Sequence, residues 1–329
     1  MTADWVVGVD LGGTKIALGL IDPNETIVAR RRMPTNADEG PDSVVARIAE
    51  TIVALQAHLP DGARIGAVGI CTPGPVDHEE GVLIDPPNLP ALHHTPLRQM
   101  LAARLREEPA LRGRQDLRVC LEHDAKAAAL GEFHYGSGRG ARSMVYIVVG
   151  TGVGAAIILD GELYRGTHNT AGEIGHTTLD PQGELCSCGS RGCLETYLGG
   201  PWLAEHYRRA RHRSGPPLAD GDAITGKGVT ARAEAGDALA QQVMTQAGRA
   251  LGTAVATMAM VLDIERYVVG SSVAKAGDLL LEPARQMVPH CSYDSVSCRV
   301  QIVPTALQDD GPILGCGWLA RQQLQATST

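Results

Sequence analysis

One histidine and three cysteines fall within 18 residues, as His176, Cys186, Cys188 and Cys193 of HTTLDPQGELCSCGSRGC. Imidazole nitrogen and thiolate are the ligands zinc takes in closed, four-coordinate sites, and one histidine with three cysteines is a usual set. Gly183, Gly189 and Gly192 let the segment fold tightly around an ion. A disulfide between Cys186 and Cys188 would need a strained ring. With four protein ligands no position is left for water, so the expected role is structural.

Three glycine loops compete for phosphate. Gly221 to Lys227 nearly fits the P-loop spacing, but Gly228 stands where a magnesium-holding Ser or Thr is needed, and no β-prone run precedes it. Gly150-Thr-Gly-Val-Gly154 has the glycines of a dinucleotide fingerprint, which requires a helix to follow. The β-branched run AAIIL follows instead, so the segment reads as a hairpin. Asp10-Leu-Gly12-Gly13-Thr14-Lys15 is a hairpin too. Gly12 and Gly13 let backbone N–H groups approach phosphate oxygens, Thr14 adds a hydroxyl, Lys15 a cation, and Asp10 a carboxylate able to orient Mg²⁺ or its water. Paired with the GTG turn, it suggests two hairpins gripping one nucleotide between two lobes.

The elements that must carry these residues follow from hydropathy. Residues 5–10 and 16–22 are β-prone runs flanking the first turn, and 143–149 and 153–159 flank the second. Two strand–turn–strand units about 140 residues apart imply a duplicated architecture. A helix follows Asp42, with Val44, Ile48, Ile52, Leu55 and Leu59 at helical spacing, and another opens at Thr95-Pro96, read as N-cap and first-turn proline. Residues 119–124 read as a strand, 125–133 as a helix, 237–262 as a long Ala-rich helix, 266–272 and 300–307 as strands and 312–324 as a terminal helix. A loop is expected at 213–229. Strands alternate with helices, so the class is α/β.

Composition limits the alternatives. The 329 residues exceed one ordinary domain, and 44% apolar with 20% charged residues is too apolar for a disordered chain. One Phe, three Trp and seven Tyr leave few base-stacking platforms, and a net charge of −8 argues against nucleic acid. Asp4 and Asp10 interrupt any signal-peptide core, and the uncharged run 143–159 is too short for a membrane span. Cysteine clustering without an export signal points to a reducing, cytoplasmic setting.

The residues together resemble the ROK family (repressors, open reading frames, kinases), specifically its bacterial glucokinase-like sugar kinases. The resemblance is carried by DLGGTK at 10–15, GICTPGPVD at 69–77, PNLPAL at 87–92, EHDAKAAALGE at 122–132, GTGVGAAI at 150–157 and AGEIGHTTLDPQGELCSCGSRGCLE at 171–195. It implies an actin-like, hexokinase-type (ribonuclease H-like) α/β fold of two lobes with a cleft between them. The smaller lobe would be 1–121 plus the returning 307–329, and the larger 122–306. It further implies ATP and Mg²⁺ bound by Asp10, Gly12, Gly13, Thr14 and Lys15 with Thr151 and Gly152, and adenine near Gly270. Asp124 would be the general base, and His123, Glu173, His176 and Glu195 sugar contacts, with His176 using its other nitrogen on a structural zinc.

The implied reaction moves the γ-phosphoryl group of ATP to the 6-hydroxyl of glucose or an analogue. Two departures stand out. His123 replaces the family's Asn, which makes kanosamine (3-amino-3-deoxyglucose) or a C7-cyclitol an alternative substrate, since an imidazole acceptor could receive an ammonium proton. Gly270-Ser271-Ser272 replaces a glycine run. Rival classes are a sugar-responsive repressor, for which no helix-turn-helix segment precedes Asp10, and a sugar-binding protein without catalysis. No nucleic-acid or membrane partner is expected; the resemblance suggests a homodimer.

Overall fold

The computed structural model of the chain describes residues 4–111, 116–214 and 224–326. In chain order the elements are β1 (Trp5–Leu11), β2 (Lys15–Ile21), β3 (Ile27–Pro34), α1 (Pro41–Leu55), β4 (Ile65–Thr72), β5 (Val76–Asp77), β6 (Val82–Leu83), α2 (Leu97–Glu107), β7 (Arg118–His123) and α3 (Asp124–Tyr135). They continue with β8 (Met144–Val149), β9 (Val153–Leu159), β10 (Glu162–Tyr164), α4 (Glu195–Leu198), α5 (Gly200–Ser214), α6 (Gly226–Glu234) and α7 (Ala238–Leu262). The remainder are β11 (Arg266–Gly270), α8 (Asp278–Cys291), α9 (Asp294–Ser297), β12 (Gln301–Pro304) and α10 (Gly311–Gln325).

Two five-stranded sheets share one topology. The first has the order β3-β2-β1-β4-β7 and the second β10-β9-β8-β11-β12. In each, a glycine-turned antiparallel hairpin is extended by a third antiparallel strand on one side and by two parallel strands on the other. The echo between the two sequence halves is therefore a repeat of fold. It places the Gly12–Gly13 and Thr151–Gly152 turns at equivalent corners.

The chain divides into two compact units, Met1–Gly136 with Asp309–Thr329, and Ser137–Gln308. The expected boundaries were 121 and 306. The difference comes from α3, which packs against α10 with the His134 and Trp318 rings stacked at 4.4 Å. In the first unit, Val7, Val9 and Leu11 of β1 bury one sheet face against Ile48 and Ile52 of α1 and Leu101 and Leu105 of α2. The opposite face receives α10. At Gly69 a side chain would stand 3.0 Å from Cys316 Cα, so only a glycine lets the helix backbone come that close. In the second unit the sheet and helices α5 to α8 enclose one core.

Helix ends mostly match the sequence reading. Asp237 caps α7, its carboxylate accepting from Leu239 and Ala240 N–H. Thr95 does not cap α2; Pro96 holds the cap position, and Thr95 pairs by backbone with Leu83. The loop expected at 213–229 is helical at both ends, with α5 reaching Ser214 and α6 starting at Gly226; residues 215–223 lie outside the described ones.

Candidate functional site

The first unit gathers its chemistry at the carboxyl ends of β1, β4 and β7. The β1–β2 turn is closed by Gly12 N–H donating to Lys15 O at 3.0 Å. It is braced by buried Thr35, whose hydroxyl donates to Gly12 O at 2.6 Å and whose N–H donates to Thr14 O. A side chain at Gly13 would stand 2.9 Å from Asn88 O, within the PNL segment, so the turn fits only as glycine. Lys15 Nζ is 3.3 Å from the Asp309 carboxylate, which steadies the cation while leaving half its side chain exposed.

Asp10 ends up beside Asp124, 114 positions away in the chain. Burial, followed by the Asp124 charge, pushes the Asp10 carboxyl from 3.8 up to about 6, against the downward pull of Lys15 and the Cys71 thiol. A divalent cation at Asp10 would relieve both causes, so this donor set fits Mg²⁺. Asp124 opens α3 with its side chain 40% exposed. Its Oδ1 accepts the Ala125 N–H at 2.6 Å, and His123 Nδ1 accepts the same N–H at 3.2 Å. The capping role is thus shared, with His123 at the N-cap position and Asp124 in the first turn. His123 is held in turn by Glu122, whose carboxylate accepts the His123 N–H at 2.9 Å.

In the second unit the β8–β9 turn closes with Gly150 N–H on Gly152 O at 2.9 Å. Glu195, expected as a sugar ligand, also supports this turn: Oε2 accepts the Val153 N–H at 3.0 Å, and a side chain at Gly152 would stand 2.7 Å from that oxygen. Two residues before Glu195 is Cys193. Its sulfur lies 3.6 Å from Cys188 Sγ, and His176 Nδ1 lies 3.6 Å from Cys186 Sγ. All four ligand atoms fall within 4.8 Å of one another. Sulfurs at tetrahedral corners about 2.3 Å from zinc stand roughly 3.8 Å apart, so the set fits that ion. The Ser190 backbone N–H, with the neighbouring thiols, draws Cys188 down to about 7, while burial pushes Cys193 up to about 12. His176 turns Nδ1 to the cysteines, which leaves Nε2 for another partner. Glu173 is exposed at the start of the short turn Ile174–His176.

A cavity of about 400 Å³ opens beside the GTG turn. Gly150, Thr151, Pro201, Thr225, Lys227 and Ser272 are among its walls. Thr225 to Lys227 belong to the segment set aside as a P-loop; its Gly221 to Ala223 lie outside the described residues. Thr225 caps α6 by accepting Gly228 N–H at 3.1 Å, and Thr225 to Lys227 line the cavity. Periodicity gave no signal for this, because the wall joins four separate segments. Gly270 sits under Tyr146, where a side chain would stand 2.9 Å from Cζ, and the wall is formed two residues on. Ser271 has φ +78°, a left-handed conformation in which glycine is unstrained and serine is not.

Residues 6–323 match the ROK family. The chain belongs to the ROK family. It is 33% identical over 330 residues to a glucokinase of Halalkalibacterium halodurans, covering 98% of this chain and 97% of that protein. It is equally 33% identical, over 317 residues, to an N-acetylmannosamine kinase of Salmonella heidelberg, covering 96% and 98%. Among solved structures it resembles a ROK family glucokinase of Streptomyces griseus in complex with glucose and AMPPNP, with TM-score 0.74, 30% identity and coverage of 97% and 99%. The α/β, actin-like fold of this ROK protein is thereby established, each unit contributing one of the repeated sheets. Among the described residues no helix is long and apolar enough to cross a membrane.

Proposed function

We propose that this ROK protein is an ATP-dependent sugar kinase that transfers the γ-phosphoryl group to the 6-hydroxyl of a hexose, glucose first, with Asp124 as general base. The observation that carries the reading is the carboxylate pair of the first unit: Asp10 buried and pushed up to about 6, Asp124 half-exposed and close enough to contribute to that rise. Two nearby carboxylates in unequal surroundings can divide the work of cation binding and proton acceptance.

The residues take separate tasks. Asp124 Oδ1 is held by the Ala125 N–H, so Oδ2 is free to accept the hydroxyl proton as the new P–O bond forms. Gly12 closes the turn through its N–H on Lys15 O, and the turn so shaped presents the Gly13 backbone, the Thr14 hydroxyl and the Lys15 cation to phosphate oxygens. In the second unit Thr151 and Gly152 serve phosphate, and the adjoining cavity suits adenosine. Glu173, the remaining oxygen of Glu195 and His176 Nε2 suit sugar hydroxyls. When bound, Mg²⁺ at Asp10 would neutralise phosphate charge, and zinc at His176, Cys186, Cys188 and Cys193 would fix the loop leading to Glu195.

The reading is tested by coupled ADP release and by mass of the phosphorylated product, using glucose, mannose, N-acetylglucosamine and N-acetylmannosamine. Glucose-dependent ADP formation with glucose 6-phosphate as product is expected. If no sugar stimulates ATP turnover, the kinase reading gives way to a binding protein.

A further inference from the structure

Arg208 stands on the wall of the second unit's cavity and belongs to a chain of ion pairs that begins outside it. Gly200, Ala204 and Arg208 recur every four residues on α5, so they line the cavity from one helix face. Gly200 N–H donates to Gly150 O at 2.8 Å, which sets the first turn of α5 against the Thr151–Gly152 turn. Eight residues on, Arg208 lies about 12 Å along the helix, at the end that the base of a nucleotide reaches when its phosphates lie at the turn.

The guanidinium of Arg208 is held from behind. Its Nη1 donates to Glu205 Oε2, while Glu205 Oε1 accepts from Arg209 Nε at 2.8 Å. Arg209 Nη1 donates in turn to Glu184, which lies in the cysteine loop two residues before Cys186. That loop places Glu184, since the Glu184 carbonyl accepts the Gly192 N–H at 2.8 Å, beside Cys193. The Arg209 hydrogen bond, and after it the Arg208 one, holds Glu205 below the ordinary carboxylate range against the opposing effect of burial. Each pair is partly exposed and adds little stability by itself. What the chain supplies is orientation, because one Glu205 rotamer serves both arginines.

We infer that the cysteine loop and the nucleotide cavity are energetically coupled through Glu184, Arg209, Glu205 and Arg208, with Arg208 meeting the base. The inference rests on the reading of this cavity as the nucleoside site. A guanidinium stacks on a purine face, or donates to a purine nitrogen, best when its plane is already fixed. Glu184, Arg209 and Glu205 are positioning residues, and none of the three lines the cavity. A shift of the cysteine loop thus reaches nucleotide affinity. By reciprocity, a bound nucleotide steadies the loop that leads to Glu195.

Calorimetric Kd values for Mg-ADP and for adenosine test this without any sugar being turned over. Arg208→Met is expected to weaken both ligands by a similar factor, about tenfold. Glu184→Gln and Arg209→Met should each weaken ADP about fivefold. That loss should vanish in the Arg208→Met background, because the chain then has nothing left to orient. Zinc content and Tm are read beside each Kd. Arg209→Met decides the matter if Glu184→Gln loses metal, since it breaks the chain from α5 and leaves the residues of the cysteine loop in place. A merely structural role for these residues predicts losses that multiply in the double variants. Such multiplication, unchanged ADP affinity in Arg209→Met, or a loss in Arg208→Met confined to ADP overturns the inference. Nucleotide binding without the coupling leaves the kinase reading standing. If ADP does not bind the parent protein at all, the kinase reading and the coupling fail together.

Discussion

The two hairpin turns occupy equivalent corners of duplicated sheets and have become chemically opposite. The turn at Gly12–Gly13 carries charge: Asp10 is buried beside Asp124, and Lys15 is paired with Asp309. The turn at Thr151–Gly152 is neutral and is held from behind by Glu195, which the cysteine loop leads into. One topology thus supplies position twice, and the side chains divide the labour. The first unit stores an electrostatic cost that a ligand can relieve; the second spends its charged groups on shaping a loop. Placing the costly charges in one unit also predicts that the units respond differently to pH, metal and substitution.

The largest effect should come from the charged side. Asp124→Asn is expected to lower kcat by on the order of 10²–10⁴, with thermal unfolding and sugar KM little changed. Steady-state kinetics check this, and retained kcat would remove Asp124 from the chemistry.

Asp10 should pull activity and stability in opposite directions. Its folded pKa of about 6 lies above the unfolded value near 3.8, so the folded state binds the extra proton between them. The ligand-free protein is thus expected to lose stability as pH rises through that window and to level off above it, the loss being about 3 kcal/mol at ~1.4 kcal/mol per unit. Asp10→Asn should abolish this slope, stabilise the ligand-free protein at pH 8 and still depress activity. Denaturant unfolding at pH 4.5 and pH 8 decides it; a variant less stable than the parent at pH 8 would show that the Asp10 charge is favourable in the fold.

Removing the metal should act on the neutral side alone. Chelation, or Cys188→Ser, is expected to raise sugar KM about 10–100-fold, the usual scale when support of a binding group is lost. Metal analysis and calorimetry of sugar binding check the result, and full affinity in metal-free protein would sever the cysteine loop from Glu195.

The smallest effect belongs to Ser271. Relief of its left-handed backbone by Ser271→Gly should stabilise the second unit by up to about 1 kcal/mol, offset in part by the freer unfolded chain. A lower Tm would mean that the hydroxyl, rather than the backbone, governs that turn.

Local features were legible in advance. The cysteine loop, both glycine turns and the strands flanking them depend on neighbours within about 20 residues, and residue type at short spacing encodes such neighbours directly. The helix expected over 125–133 is present as α3, but its unit was not foreseen: the alanine and glycine run of α3 packs against α10 across nearly 190 residues of chain. The cavity wall at Thr225 to Lys227 was missed for the same reason, since a failed motif match said nothing about what the segment lies against.

Sequence alone determined which groups this protein owns: the α/β alternation, the duplicated hairpins, four zinc-type ligands and a carboxylate after a β-strand. Tertiary structure decided what those groups feel. Whether Asp10 is costly and whether Glu195 has a free oxygen are set by dielectric, by distance and by single backbone N–H groups. Those quantities exist only once remote segments have been packed within a few ångströms of each other.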